Sequence, residues 1–180
     1  SSGAGTGVIN ITLKKSGKKA IEGNAYVNVG TNNTANTDKT SAQNYNQGFS
    51  VNGNANKVNY FASLNSTEIR GMSQIAPVNP IDNYEEDRFS RINYLAKLGY
   101  KATDKLTLDF FGNYDKISSD YDASFDNTGA NDTNLNSTES EQFRFGFLPK
   151  YKYSKGEFVL NSSFNKIVRT YNDFDFYSNK

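Results

Sequence analysis

The feature that most constrains this chain is a period-two alternation of apolar and polar residues, which returns in seven separate segments. In the first of them, residues 20–30, Ala25 and Val27 fall on one side while Asn24 and Tyr26 fall on the other. Successive side chains of a β-strand point to opposite faces of the sheet, so this period is typical of strands with one apolar and one polar face. The sequence therefore predicts an all-β fold.

The predicted strands are joined by connections of two kinds that alternate along the chain. The strands cover residues 20–30, 45–55, 58–65, 88–101, 106–118 and 143–153, and the seventh begins at residue 158. Long polar connections cover residues 31–44, 71–86 and 119–140, whereas short turns cover residues 54–57, 102–105 and 154–157. This layout predicts an antiparallel up-and-down sheet, as in outer-membrane barrels with brief turns at one end and longer loops at the other. Pro149, inside the sixth strand, is interpreted as a bulge with one missing ladder hydrogen bond.

The lengths of the strands and the positions of their tyrosines indicate a membrane crossing. Most of these strands exceed the roughly 5 to 6 residues usual in globular sheets and match the roughly 9 to 11 residues of a tilted crossing. Tyrosines lie near strand ends, where interfacial girdles require them; they are Tyr45, Tyr100, Tyr114, Tyr151 and Tyr153. A mean hydropathy of -0.72 is compatible with a membrane barrel, since every second residue there faces water or a polar lumen.

Composition argues against several classes of function. The chain contains no cysteine and no histidine, so it offers no disulfide, no thiolate metal site and no imidazole base. Its 20 basic and 19 acidic residues nearly cancel, whereas a nucleic-acid-binding surface is expected to be strongly basic. No catalytic constellation stands out, so we predict neither an enzyme nor a cofactor, and no nucleic-acid partner.

Four aspartates in the third long connection are the clearest candidates for a metal site: Asp120, Asp122, Asp126 and Asp132. Calcium sites use several carboxylate and carbonyl oxygens, but this spacing does not match the EF-hand pattern and no glutamate closes it. We therefore interpret these residues as part of a solvated loop and predict no metal.

The N-terminal stretch has a more specific pattern. It reads Gly5-Thr6-Gly7-Val8-Ile9-Asn10-Ile11, then a lysine pair at Lys14 and Lys15, then a strand that contains glycine. Predicted β structure follows these glycines, whereas the glycine-rich loops of nucleotide-binding motifs open a helix. The stretch resembles the end of the plug domain and the start of the barrel in TonB-dependent outer-membrane receptors of Gram-negative bacteria, and the strand layout is similar to theirs.

The resemblance implies a division of the chain. Residues 1–15 would form the last strand of the plug domain, residues 16–19 the link, and residues 20–180 the incomplete N-terminal part of a transmembrane barrel of about 22 strands. The N-terminus, Ser1-Ser2-Gly3, has neither the basic start nor the apolar core of a signal peptide. We therefore expect a piece of a longer polypeptide that lies in the outer membrane.

The resemblance also implies roles for particular residues. The plug strand would have a structural role and would contain Gly5, Gly7, Val8, Ile9, Asn10 and Ile11. Polar residues of the first two barrel strands would face the lumen and contact the plug or a passing ligand; these candidates are Glu22, Asn24, Tyr26, Asn28, Asn52 and Asn54. The three long connections would supply ligand or lid surfaces.

The function implied by the resemblance is uptake of a scarce, large nutrient such as a siderophore, cobalamin, an oligosaccharide or a peptide. The partners would be outer-membrane lipid, the nutrient, a TonB complex that relays energy to the plug, and a surface lipoprotein that acts as a lid. Two other interpretations stay open. One is a non-transporting barrel that serves as an adhesin or an assembly subunit, and the other is a soluble β-rich binding module whose apolar face packs inside a sandwich.

Overall fold

The fold is seen in a computed structural model, which describes residues 19–31, 43–72, 86–126, 129–131 and 136–172. In chain order the strands are β1 Glu22–Gly30, β2 Asn44–Ala55, β3 Val58–Met72, β4 Asp87–Lys101, β5 Leu106–Asp120, β6 Ala123–Asp126, β7 Gly129–Asn131, β8 Ser137–Tyr153, β9 Gly156–Val159 and β10 Ser162–Asn172. The prediction of an all-β fold is confirmed for these ranges. They contain no helix that is long and apolar enough to cross a membrane.

Eight of the strands form one antiparallel sheet. Its order is β1-β2-β3-β4-β5-β8-β10, and β9 pairs with the other end of β8. Strands that follow one another in the chain lie side by side, apart from the small β6-β7 hairpin between β5 and β8. β9 and β10 both pair with β8. The predicted up-and-down arrangement is therefore confirmed.

The third long connection contains regular structure that was not predicted. β6 and β7 pair within it, and β8 begins at Ser137 instead of at Phe143. Residues 137–142 are polar on both faces, so their alternation carries no hydrophobic signal, yet they pair with both β5 and β10. The prediction of a loop over all of residues 119–140 is therefore wrong. β3 likewise continues to Met72, beyond its predicted end.

Pro149 interrupts the pairing of β8 with its neighbour but does not form the predicted bulge. The pairs Lys150↔Val159 and Phe147↔Ser162 keep one continuous register across the interruption. The Leu160 N–H still donates to the Pro149 carbonyl at 3.1 Å, but proline has no N–H with which to return the bond. β9 and β10 are therefore two parts of one strand path, separated where a ladder bond is missing.

Tight turns connect strands at one end of the sheet, as predicted. Between β2 and β3 the chain turns at Asn56 and Lys57, and Asn56 has a left-handed φ of 53°, which asparagine tolerates better than most residues. Between β4 and β5 the Thr103 hydroxyl accepts hydrogen bonds from the backbone N–H groups of Lys105 and Leu106, at 3.2 and 3.0 Å. These turns hold the paired strands in a defined register.

The sheet is a single layer. In the described ranges no hydrophobic side chain is buried, and the buried polar side chains are Gln43, Asp122 and Asn136, next to strand ends. Nothing else in those ranges packs on either face of the sheet. The sheet therefore presents two open faces, and their chemistry differs.

Candidate functional site

One face of the sheet, which we call the apolar face, is apolar from β1 to β9 and β10. Directly opposed residues of neighbouring strands share a face, and one such row contains Ala25, Phe49, Leu64, Tyr94, Tyr114 and Phe143. Phe49 is 53% exposed and Phe164 is 58% exposed. Other exposed side chains of this face are Val27, Val29, Tyr45, Leu98, Tyr100, Phe145, Tyr151, Phe158 and Leu160. Large apolar side chains thus form a broad band with no cover from the described residues.

Polar and aromatic groups mark both limits of this apolar band. Toward the long connections, the Tyr114 hydroxyl donates to Glu141 at 3.2 Å, and Lys116 forms ion pairs with Glu139 at 2.9 Å and Glu141 at 3.4 Å. Toward the short turns the band ends at tyrosines on two strands, at Tyr100 on β4 and at Tyr151 and Tyr153 on β8. On β5 the band extends from Leu106 to Tyr114, about 27 Å along the strand at 3.4 Å per residue.

The edge of the apolar band toward the long connections does not follow a straight line across the sheet. On β2 the band ends at Tyr45, four residues beyond the row that contains Phe49. On β4 it ends at Ile92, two residues beyond that row, and on β3, β5 and β8 it ends within the row, at Leu64, Tyr114 and Phe143.

The opposite face, which we call the polar face, carries all six residues predicted to face a lumen. Their partners across the strands are polar or small except for Phe61, which lies opposite Asn52 on β3; the other pairs are Glu22↔Asn52, Asn24↔Ser50, Tyr26↔Gly48, Asn28↔Asn46 and Asn54↔Asn59. The structure brings Asn52 and Glu22 together, because the Asn52 amide donates to the Glu22 carboxylate at 3.3 Å. That this face borders a lumen stays a prediction. The plug-strand candidates Gly5, Gly7, Val8, Ile9, Asn10 and Ile11 lie outside the described residues.

Tyr26 connects the predicted residues to a part of the polar face that was not predicted. Its ring lies against Gly48, where an added Cβ would collide with it, and its hydroxyl donates to the Asn65 side-chain oxygen at 3.1 Å. A concave site of about 260 Å³ begins there and extends to Arg91 and Asn93 on β4. The polar surface thus continues across the sheet from the predicted residues.

A second concave site lies on the polar face of β4, β5 and β8. It has a volume of about 700 Å³, and we call it the polar-face cavity. Its lining includes Arg91, Asn93, Leu95, Lys97, Asp109, Phe111, Asn113, Asp115, Gln142, Arg144 and Leu148. None of these residues was predicted as a site residue. Their only sequence signal is the polar side of the alternation, which many other positions share.

An ion pair occupies the end of the polar-face cavity toward the long connections. The Arg91 guanidinium donates to both carboxylate oxygens of Asp115, with Nε to Oδ1 at 2.9 Å and Nη2 to Oδ2 at 2.5 Å. Such a bidentate pair is stronger and more directional than a single charged hydrogen bond. The Asp115 side chain is only 13% exposed, so the pair is shielded on that side. Arg91 and Asp115 therefore act as one fixed, neutral unit across β4 and β5.

Amide side chains of the cavity are held by neighbouring strands. Asn113 donates to the Tyr94 carbonyl at 3.1 Å, and Asn93 donates to the Tyr114 carbonyl at 3.4 Å. Gln142 donates to the Asn165 side-chain oxygen at 3.0 Å. These bonds restrict the amides before any ligand arrives, which reduces the entropy lost on binding.

Comparisons with protein-family models, with curated proteins and with solved structures find no match to this chain. Within the described ranges, no group of three or more acidic side chains is arranged to hold a metal ion. Asp132, one of the aspartates considered for calcium, lies outside those ranges. The polar face offers a ligand hydrogen-bonding groups, charged groups and the apolar side chains of Leu95, Phe111 and Leu148.

Proposed function

We propose that this chain forms part of the wall of an outer-membrane β-barrel, and that the barrel is a TonB-dependent transporter for a scarce, large nutrient. In this proposal the apolar face contacts lipid and the polar face lines the lumen. The observation that carries the proposal is the broad band of exposed apolar side chains on one face of a single-layer sheet of long antiparallel strands.

The size of the band favours lipid over water as its surroundings. Six strand spacings of about 4.8 Å and a length of about 27 Å along the strands give on the order of 800 Å² in projection. Soluble monomers rarely expose contiguous apolar patches of more than a few hundred Å². Transmembrane barrels carry an outward apolar band about 25 Å tall with aromatic girdles at both limits. The length of the band along its strands and the tyrosines at its limits agree with those values.

The edges of the sheet bear on the size of the barrel. Neither β1 nor β10 has a second strand partner among the described residues. Hydrocarbon cannot satisfy the hydrogen-bonding groups of an open sheet edge, so a spanning sheet must close. On this proposal, β1 and β10 pair with further strands, and the wall described here is one sector of a larger barrel.

The assignment to TonB-dependent transport rests on the resemblance of residues 5–11 and the following strands to the plug-barrel junction of that family. Those residues lie outside the described ranges. The polar-face cavity supports the transport role, since it offers fixed amides and charges where a passing solute would contact the wall. Outer-membrane lipid, a TonB complex, the nutrient and a surface lipoprotein lid are the partners that this proposal includes.

The test uses the full-length polypeptide in its native cells. Outer and inner membranes are separated by density, the protein is recovered with detergent, and its mass and gel mobility are measured with and without boiling. A closed barrel runs at an altered mobility until it is boiled. Crosslinking to TonB, compared between energised and de-energised cells, then tests the transport mechanism.

The outcomes separate the three interpretations. An outer-membrane protein with heat-modifiable mobility that crosslinks to TonB supports the proposal. A heat-modifiable barrel that never crosslinks to TonB would be a non-transporting barrel instead. A protein that stays in the aqueous fraction would overturn the membrane assignment, and the apolar face would then be the inside of a soluble sandwich.

A further inference from the structure

The polar-face cavity holds an excess of positive charge. Five charged side chains line it, and two of them, Arg91 and Asp115, neutralise each other. Of the remaining three, Lys97 and Arg144 are cations and Asp109 is an anion. Within the described ranges neither Lys97 nor Arg144 forms an ion pair. A solute in the cavity therefore meets two cations that are not in ion pairs and one carboxylate, that of Asp109, a net charge of one positive unit.

An aromatic ring lies between these two cations. Phe111 is directly opposite Lys97 on one side and directly opposite Gly146 on the other. Its ring lies over Gly146, in the space that a Cβ atom would occupy at any other residue. Arg144 is two residues from Gly146 on the same face of β8. Lys97 and Arg144 are thus roughly 12 Å apart at their Cα atoms, from the spacings of a β-sheet, with Phe111 between them.

The floor of the cavity is apolar. Leu95 and Leu148 contribute aliphatic surface beside the Phe111 ring. Sites for small ligands commonly have volumes of about 300–1,000 Å³, with apolar walls and a few oriented polar groups. At about 700 Å³ the cavity has room for one small ligand or one unit of a larger one.

Positive charge continues along the polar face toward the short turns. Lys150 and Lys152 follow Arg144 on β8, and Lys101 follows Lys97 on β4. Glu157 neutralises Lys150 at 2.9 Å, and Asp104 neutralises Lys101 at 2.7 Å, but Lys152 has no ion-pair partner among the described residues. A surface with one prevailing sign of charge raises the local concentration of oppositely charged solutes.

We propose that the polar-face cavity binds an anionic ligand with a flat apolar body, which stacks on Phe111 while Lys97 and Arg144 hold its negative groups. Carboxylates and phosphates are the groups that guanidinium and ammonium ions bind best. The inference rests on the proposed function, because it names the class of solute that the transporter wall recognises. A neutral ligand of the same shape loses both charged contacts.

The experiment measures binding of two matched probes to the full-length protein in detergent by fluorine NMR. The probes are 5-fluoroisophthalate, a dianion, and 5-fluoroisophthalamide, which has the same ring and substitution but no charge. Each probe is titrated against the native protein and against the variants Lys97→Gln and Arg144→Gln. Lys116→Gln, which removes one positive charge at the limit of the apolar face, is the matched control. Heat-modifiable mobility of each variant confirms that it is folded.

The dianion is expected to bind the native protein more tightly than the diamide. Lys97→Gln and Arg144→Gln are each expected to weaken binding of the dianion by roughly two- to fivefold, which is the effect of losing one exposed charge pair. Neither substitution should change the affinity for the diamide. Raising the salt concentration to about 1 M should remove most of the preference for the dianion over the diamide, because the screening length falls to about 3 Å.

The inference would be overturned if the two probes bound equally or if the dianion did not bind. It would also be overturned if Lys116→Gln weakened binding of the dianion as much as Lys97→Gln and Arg144→Gln do. Each of these results is obtained on protein already shown to be a heat-modifiable barrel. The inference can therefore fail while the proposed function stands.

Discussion

Ala96 offers the sharpest test of what surrounds the apolar face. On β4 the apolar band extends from Ile92 to Tyr100, so Ala96 lies at its middle. A shallow apolar groove of about 300 Å³ passes over Ala96 and the neighbouring Ala62 and Gly112. A larger side chain at position 96 therefore has room to lie along the surface.

The variants Ala96→Arg and Ala96→Leu distinguish lipid contact from a packed protein core, because Ala96→Leu changes stability in opposite directions in the two surroundings. At the middle of a bilayer an outward arginine costs about 2–4 kcal/mol. A leucine in lipid gains roughly 2 kcal/mol over alanine, at about 0.8 kcal/mol for each added methylene-sized group. In a packed core the same leucine costs about 1–3 kcal/mol, because the extra volume forces neighbours apart. The two variants should therefore differ by roughly 4–6 kcal/mol, with leucine stabilising.

The assay is urea unfolding of the full-length polypeptide folded into lipid vesicles, read as the loss of the heat-modifiable gel band. Ser63, on the polar face of β3, supplies the control pair Ser63→Arg and Ser63→Leu, for which arginine should be tolerated at least as well as leucine. A leucine at position 96 that destabilises the protein by more than 1 kcal/mol would refute lipid contact. Lipid contact would also be refuted if the free energies of unfolding of Ala96→Arg and Ala96→Leu differed by less than 0.5 kcal/mol.

Three further predictions concern contacts of the described residues. Asp115→Asn should lower the free energy of unfolding by about 1–3 kcal/mol, since it leaves the Arg91 guanidinium without its carboxylate, and the loss should shrink in an Arg91→Gln background. Pro149→Ala should create a backbone N–H that completes the ladder, seen as a protected amide at position 149 in hydrogen exchange; rapid exchange there would contradict the pairing. The Lys101 ammonium donates a hydrogen bond to Asp104 and lowers the pKa of that carboxyl, so the pair should stabilise the turn above the ordinary pKa of aspartate and stop doing so as the pH falls through the lowered value. In Lys101→Gln the pKa of Asp104, followed by NMR titration, should rise toward its ordinary value, and an unchanged pKa would show that the lysine is not its cause.

The features that could be predicted from the sequence are those that depend on near neighbours. Glu22 and Asn24 were correctly placed on the same face as Tyr26, because a strand alternates its side chains with a period of two whatever it pairs with. The short turns were also predicted correctly, since Asn56 and Thr103 belong to types whose side chains or backbones favour a turn. Each of these signals lies within a few residues of the feature that it specifies.

The features that could not be predicted depend on residues far apart in the chain. Arg91 and Asp115 are 24 residues apart, and they meet only because β4 and β5 pair in one particular register. Residues 137–142 join β8 because both neighbouring strands extend to meet them, although their own side chains show no apolar alternation. Local pattern cannot supply either result.

By itself, the sequence determined which side of each strand is apolar and where the chain turns back, because both follow from the order of residues along a single strand. Only the tertiary structure decided that Lys97, Phe111 and Arg144 share one cavity and that strands β4, β5 and β8 meet in this register. The physical reason is that register belongs to a pair of strands. A shift by two residues keeps every side chain on its own face but changes every neighbour that it meets.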